Sequence, residues 1–278
     1  MKLLIIGGSG FLGAELTRRA PAAGFTVAAT YTTRPPDAAV GVGRYALDVR
    51  DPAQVAAVMD EVAPSVVINA SSGGADRAVT AVGAVRVATA AAGRGCRLVH
   101  VSSDAVFSGS QGRYDESSPP DPVTPYGAAK AEAETGVRLA APHAVVARTS
   151  LIIGDGHPLS THERHVHDLV AGTRDGVLFT DVVRCPVHVA DLAAALLELA
   201  AGEDGGMRHL AGPDALTRHE LGVLIARRDG LDTSGLPAGR RGGTCLPGPL
   251  DVRLDSTETR RNLRTRLRGA REFLARRG

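Results

Sequence analysis

The sequence predicts an α/β fold built on a doubly wound parallel sheet, and three observations carry that prediction. Short apolar runs alternate with segments of helical spacing through residues 1–150. The runs are apolar throughout rather than every second residue, the pattern of strands covered on both faces. The first run passes directly into a glycine-rich turn, IIGGSGFLG.

In order, KLLII (2–6) is the first strand and FLGAELTRRAPAA the first helix, with Leu12, Leu16 and Ala20 on one face. FTVAATY (25–31) is the second strand. PAQVAAVMDEVAP (52–64) is a helix opened by Asp51 as N-cap, with Pro52 in its first turn. SVVINA (65–70) is a strand, ADRAVTAVGAVRVATAAAG (75–93) a long helix, and CRLVHVSS (96–103) a strand. YGAAK (126–130) opens a helix, and HAVVARTS (143–150) is a further strand. Beyond 150 the alternation weakens. GDGHPLSTHERHVHD shows no clear strand and reads as a functional loop or lid. VHVADLAAALLELAA (187–201) and TRHELGVLIARR (217–228) are helices, and MRHLAG (207–212) is a short strand. The tail STETRRNLRTRLRGAREFLARR reads as one basic helix, its Leu263, Leu267, Ala270 and Leu274 packed on the body and its arginines in solvent. The expected division is a nucleotide-binding domain over 1–150 and a smaller substrate-binding part over 151–278, some of whose segments return to the first domain.

Composition narrows the function. A chain of 278 residues hides roughly three-quarters of its unfolded surface. The formal net charge of +2, with 3% aromatic residues and no Trp, argues against nucleic-acid binding. No apolar run approaches the ~20 residues of a membrane span. The opening MKLLIIGGSG lacks the length and cleavage pattern of a signal peptide and reads as a strand. Cys96, Cys185 and Cys245 are odd in number and far apart, which fits reduced thiols and a cytoplasmic location. His157, His162, His165 and His167 lie close in sequence, but no zinc spacing with Cys and no HExxH accompanies them, so they are read as a substrate-side loop and no metal is assigned.

Gly7, Gly10 and Gly13 fall in GxxGxxG spacing between a strand and a helix, with Phe11 and Leu12 inside the turn. That arrangement meets the needs of a dinucleotide: a tight turn, close backbone approach to the pyrophosphate, and a helix N-terminus. The second strand ends ATYTTR with no carboxylate for a ribose 2′-hydroxyl. Arg34 stands where an arginine pairs with a 2′-phosphate, which favours NADP(H) over NAD(H); a solvated loop arginine is the other reading. Asp48 and Val49 are placed to meet the adenine edge, and Asp48 reads equally as a loop carboxylate.

VHVSSDAVFSG ends a strand and so presents Ser102, Ser103 and Asp104 at its carboxyl edge, where open α/β sheets bind ligands. Tyr126 and Lys130 lie one helical turn apart on a later helix. A tyrosine with a pKa of about 10 is a poor acid–base group at neutral pH, and a nearby ammonium together with a nicotinamide charge would lower it. A serine hydroxyl adds a second hydrogen bond to a reacting carbonyl oxygen.

With these residues in place, GGSGFLG, Asp48–Val49, INAS (68–71), SSDAVFSG and YGAAK resemble the extended short-chain dehydrogenase/reductases, whose fold is of Rossmann type. SSDAVFSG, ARTSLIIG and PVHVADLAAAL are more closely similar to dTDP-4-dehydrorhamnose reductase and related sugar-nucleotide reductases, over essentially the whole chain. The resemblance implies Tyr126 as general acid, Lys130 as its partner and Ser103 as second donor to a C4 carbonyl. It also implies Asn69, Ala70 and Ser71 on the cofactor, and Asp104, Ala105 and Leu151 on the substrate.

Several positions depart from the family pattern. Ala105 stands where related dehydratases carry Glu and related reductases an aromatic, which favours reduction over elimination. Leu151 replaces an aromatic, Thr80 stands near a usual asparagine, and Gly248 replaces an arginine at the start of GPLDVRLDS. The loop SSGGADRA (71–78) is also shorter than usual. The reading is therefore an NAD(P)H-dependent reductase of a nucleotide-linked keto-sugar, compatible with a homodimer. A cofactor-binding regulatory or scaffold protein, or a sugar-nucleotide epimerase, are the alternatives.

Overall fold

A computed structural model of the protein describes residues 1–33, 35, 41–245 and 247–275. Its centre is a parallel sheet of seven strands among those residues. The strands are β1 (Lys2–Ile6), β2 (Thr26–Tyr31), β3 (Gly43–Ala46), β4 (Val66–Asn69), β5 (Arg97–Ser103), β6 (Val145–Thr149) and β7 (Gly206–Leu210). Their spatial order is β7-β6-β5-β4-β1-β2-β3. The order reverses between β1 and β4, the crevice where doubly wound sheets take ligands.

Both faces of the sheet are covered, which explains the unbroken apolar strands. On one face Leu3 and Ile5 pack with Leu12 and Leu16 of α1 (Phe11–Arg19). On the other face Leu4 and Ile6 pack with Val55 and Met59 of α2 (Pro52–Val62), Val87 of α3 (Ala84–Ala92), and Ala133 and Val137 of α4 (Pro125–Ala140). The helix starts follow local chemistry. Asp51 accepts from the backbone N–H groups of Ala53 and Gln54, and Thr124 accepts from that of Gly127.

Several expectations change. The helix expected over 75–93 begins at Ala78 with a π-helical stretch to Gly83. There Thr80 is turned to its own loop, donating to the Gly74 carbonyl and accepting from the Gly73 N–H. The segment read as a loop or lid carries α5 (Thr161–Val170), started by a capping box in which Ser160 and Glu163 bond each other's backbone N–H groups. α6 (Val189–Ala201) lies on the α1 face, with Leu192 and Leu196 in the same core, and β7 pairs with β6 from Gly206↔Val145 to Leu210↔Thr149.

α7 (Arg218–Arg228) joins α5 in a separate core of Val166, Leu169, Leu221 and Ile225. The basic tail is not one helix. Short helices at Thr257–Asn262 and Ala270–Phe273 flank an extended stretch whose Arg264 and Thr265 N–H groups donate to Glu198, and whose Arg268 N–H donates to Asp191. Carboxylates on α6 thus take amides that a helix would use internally. Strand β3 has no apolar run and escapes a pattern-based reading. No described helix is long and apolar enough to cross a membrane.

The helix bearing Tyr126 and Lys130 is fixed by an internal ion pair. Glu134 on α4 receives two guanidinium nitrogens of Arg148 on β6, at 3.0 Å and 2.8 Å, and the Ser102 hydroxyl of β5 at 2.6 Å. Both ionic side chains are almost fully buried. Removing the charge of one partner leaves the other buried and uncompensated, which costs about 3–5 kcal/mol. Glu134→Gln is therefore expected to lower unfolding free energy by that amount in urea titration. Glu134→Leu combined with Arg148→Met should lose less than Glu134→Gln alone.

Candidate active site

Three of the residues expected in the centre converge at the carboxyl edge of β5. Ser103 ends that strand, and its hydroxyl accepts from the Ala105 N–H at 3.2 Å, opening a 3-10 turn over Asp104–Val106. α4 lies hard against this turn. A Cβ on Gly127 would collide with the Ala105 carbonyl, so the glycine of YGAAK permits the approach that brings Tyr126 beside Ser103. The Tyr126 hydroxyl lies within reach of the hydroxyls of Ser103 and Ser72. Burial pushes its pKa above the ordinary value; those hydroxyls pull it down, and the nearby Asp104 charge adds to the rise.

Lys130 is 3% exposed and its Nζ donates to the Val101 carbonyl at 3.0 Å. Burial pulls its pKa down to about 8, opposed by the charge of Glu134 one turn on. Asp104 is also buried, with Oδ2 taking the Ser150 hydroxyl at 2.6 Å and Oδ1 the Ser103 hydroxyl at 3.3 Å. Arg184 Nε stands 3.6 Å from Asp104. Leu151 follows Ser150 and, with Arg184, Arg218 and Arg241, lines a cavity next to this cluster.

The glycine turn lies at the same sheet edge. Gly7 has φ +84°, a conformation that favours glycine, and its N–H donates to Thr30 Oγ1. A Cβ on Gly7 would sit 3.0 Å from Ser71 backbone, and one on Gly13 would overlap the Gly7 carbonyl. Gly10 precedes α1 without any side-chain cap, and no acidic residue lies in the first turn of that helix. Leu12 packs into the core and the Phe11 ring lies against Gly154. Asn69 Oδ1 accepts from the N–H and hydroxyl of Ser71, while its buried Nδ2 has no partner. Ala70 N–H donates to the Ile6 carbonyl, tying β4 to β1.

The Asp48 carboxylate is held by Arg50, at 2.6 Å in its shortest contact, and Val49 is packed in the core against Gly83. Arg34 lies outside the described residues. Among described residues no cluster of three or more His, Cys, Asp or Glu is placed to hold a metal. Instead His162 Nδ1 accepts from Arg218, and His167 pairs with Asp229.

Sequence reasoning missed Ser72, Glu134, Ser150, Arg184 and Arg218. Only Glu134 left a signal, since it continues the Tyr126–Lys130 spacing by one more turn.

Burial of Lys130 predicts a pH signature. The folded pKa near 8 lies below the ordinary lysine value of 10.5, so the unfolded chain binds more protons between these values and this group's contribution to stability rises with pH there. Below about pH 8 its destabilising effect is complete. Lys130→Met should therefore raise unfolding free energy at pH 7 by on the order of 2 kcal/mol, and the gain should shrink toward pH 10 in paired denaturation curves.

Known proteins resemble this chain in sequence and in fold. The dTDP-4-dehydrorhamnose reductase of Mycobacterium tuberculosis is 32% identical over 83% of this chain and 76% of its own. Methionine adenosyltransferase 2 subunit beta of Xenopus laevis is 28% identical over 76% and 69%. The crystal structure of dTDP-4-dehydrorhamnose reductase from Bacillus anthracis in complex with NADP superposes with a TM-score of 0.83, covering 98% of this chain and 96% of that one. Its 22% identity speaks for the fold. The family model described as RmlD substrate binding domain matches residues 1–276, and the chain belongs to that family.

Proposed function

We propose that this chain is an NAD(P)H-dependent reductase of a keto-sugar, of the class that includes nucleotide-linked 4-keto-deoxysugars such as dTDP-4-dehydrorhamnose. The observation that carries the reading is the meeting of Tyr126 and Ser103, with Lys130 one turn behind, at a sheet edge that also holds the glycine turn. The mycobacterial relative supplies the substrate class.

The residues fit a dinucleotide. The uncapped start of α1 leaves amide donors and a positive dipole end for a pyrophosphate, and the orphaned Asn69 Nδ2 offers a buried donor at the β4 edge. NADP(H) is favoured, by Arg34 in the sequence and by the NADP complex of the Bacillus relative, with NAD(H) as the alternative. The bound nicotinamide supplies the hydride. Tyr126 donates the proton to the oxygen of the reduced carbonyl, and Ser103 donates a second hydrogen bond to that oxygen. Lys130 holds a cation behind Tyr126 in the reach of a ribose hydroxyl. With Ala105 after Asp104, the chain lacks the carboxylate that abstraction and elimination would use at that position. Residues 1–150, with α6 and β7, form the cofactor-binding domain, and the remainder of 151–278 the smaller substrate-binding part. Three free cysteines suit the cytoplasm.

A second reading, a cofactor-binding regulatory subunit, is favoured by the match to methionine adenosyltransferase 2 subunit beta and by the altered Ala105 and Leu151. The two separate in one assay. Purified protein with dTDP-4-dehydrorhamnose should oxidise NADPH faster than NADH. Tyr126→Phe should cut turnover at least about hundredfold while NADPH affinity stays within about twofold. Full turnover by Tyr126→Phe sinks the proposed mechanism; tight NADPH binding by a wild-type protein that turns over no keto-sugar selects the regulatory subunit.

A further inference from the structure

Two fully buried polar side chains meet in the middle of the sheet with atoms left over. Neither ring nitrogen of His100 on β5, nor Nδ2 of Asn69 on β4, has a hydrogen-bond partner among the described residues. His100 and Asn69 are paired in register on these neighbouring parallel strands. They also stand on one face. Along β5, Leu98 packs with Ala133 and Val137 of α4, while Val99 and Val101 belong to the α1 side, so alternation puts His100 and Ser102 under α4. The bond from the Ser102 hydroxyl to Glu134 agrees. Along β4, Val67 packs on the α4 side and Ile68 on the α1 side, which puts Asn69 with His100.

Lys130 completes the group. Its Nζ donates to the carbonyl of Val101, the residue after His100, and an ammonium has two further N–H donors to place. Burial and the Lys130 charge together pull the His100 pKa down to about 3, so the ring is neutral. A neutral imidazole carries one N–H donor and one acceptor nitrogen, and an amide nitrogen only donates. Direct pairing cannot satisfy this set. Asn69 or Lys130 could take the ring acceptor, and the ring N–H would then still lack one. Leaving buried donors unpaired is costly, so the place calls for a ligand that both accepts and donates. Strands about 4.8 Å apart leave room for a bridge of one small molecule between paired side chains. Water meets that description, since it accepts twice and donates twice; a halide has nothing to donate to the ring acceptor.

We propose that His100 anchors an internal water shared with Asn69 and Lys130, and that this water holds the Lys130 ammonium in place behind Tyr126. His100 is thus a positioning residue. The Asn69 amide has two N–H groups, one for this water and one for the β4 edge. Other titratable groups on the elements packed around Lys130 are Tyr126 and Glu134 on α4, Asp104 after β5, and Arg148 on β6, itself paired with Glu134. Only Glu134 among these raises the Lys130 pKa. A hydrogen bond to water favours the ammonium in the same sense, against the burial that lowers it.

The sequence makes the test direct. Lys2 and Lys130 are its only lysines, so the full chain labelled with carbon-13 at lysine Cε gives two NMR signals. The Lys130 signal should titrate near pH 8 in wild type. His100→Leu removes the water's anchor, and the Lys130 midpoint should fall by about one pH unit, a tenfold loss of proton affinity. His100→Gln keeps a donor and an acceptor and should hold the midpoint within about 0.3 of wild type. The Lys2 signal, whose Nζ donates to the Val62 carbonyl, should stay unmoved and reports that the variants are folded. A crystal structure of wild type should show a water within about 3.2 Å of a His100 ring nitrogen. An unmoved Lys130 midpoint in His100→Leu overturns the proposal. So does a wild-type structure without that water, which decides the matter if His100→Leu fails to fold.

The part this water plays in turnover rests on the reductase reading above; the water site itself does not. Under that reading the alkaline limb of kcat, with NADPH and dTDP-4-dehydrorhamnose, should follow the Lys130 midpoint down in His100→Leu while KM stays within about twofold. A shifted midpoint in a protein that reduces no keto-sugar keeps this inference and loses the reductase reading. Turnover by wild type with an unshifted midpoint in His100→Leu does the reverse.

Discussion

The Glu134–Arg148 ion pair is the contact on which the position of every other group in the centre depends. Hydrophobic packing of Ala133 and Val137 already holds α4 to the sheet. Apolar contacts are non-directional, however, and leave the rotation of a helix about its axis weakly set. A two-nitrogen guanidinium–carboxylate contact, with the Ser102 hydroxyl on the same carboxylate, fixes that rotation. Because Tyr126, Lys130 and Glu134 stand at four-residue intervals, orienting Glu134 toward β6 turns Tyr126 toward Ser103 and Lys130 toward the Val101 carbonyl. The pair reaches further still. Arg148 also donates to the Ser118 carbonyl and lies over the Phe107 ring at 4.8 Å, so it braces the chain between Asp104 and α4. Its worth here is geometric, since a buried pair is weak support for stability in itself.

Glycines set the remaining distances. Gly13 lets α1 meet the turn after β1, and Gly127 lets α4 meet the turn after β5. Both bring a helix N-terminal end to the carboxyl edge of the sheet, one on either side of the place where strand order reverses. A pyrophosphate held at the first and a carbonyl held at the second would then lie along one crevice, which is the geometry hydride transfer needs.

Much of this was legible in the sequence, for physical reasons that differ by element. The strands of residues 1–150 announced themselves because burial on both faces leaves no polar alternation to confuse them, and Asp51 marks a helix start through local hydrogen bonds. Ser103, Tyr126 and Lys130 were legible because strand end and helix start are sequence-local features. β3 was not, having no apolar run of its own. Nor was the break in the basic tail, where Glu198 and Asp191 intercept backbone amides from 66 and 77 residues away. The Ser160–Glu163 capping box was a readable signal masked by the surrounding histidines.

Arg184 and Arg218 illustrate the deeper limit. Read along the chain they are two arginines among many, and nothing in spacing separates them from Arg227 or Arg261, which lie on helices with solvent at hand. Only the fold reveals that Asp104 stands 3.6 Å from one of them and that its charge acts on both. The same fold places Asp104 between the arginines and the Ser103–Tyr126 hydroxyls, where its charge screens the acid from the cations. Without that carboxylate, the positive field of the cavity would extend to Tyr126 and favour the phenolate over the proton donor. The buried Asp104 thus takes the Ser103 hydroxyl on one oxygen and faces Arg184 with the other, and its charge favours the protonated form of Tyr126.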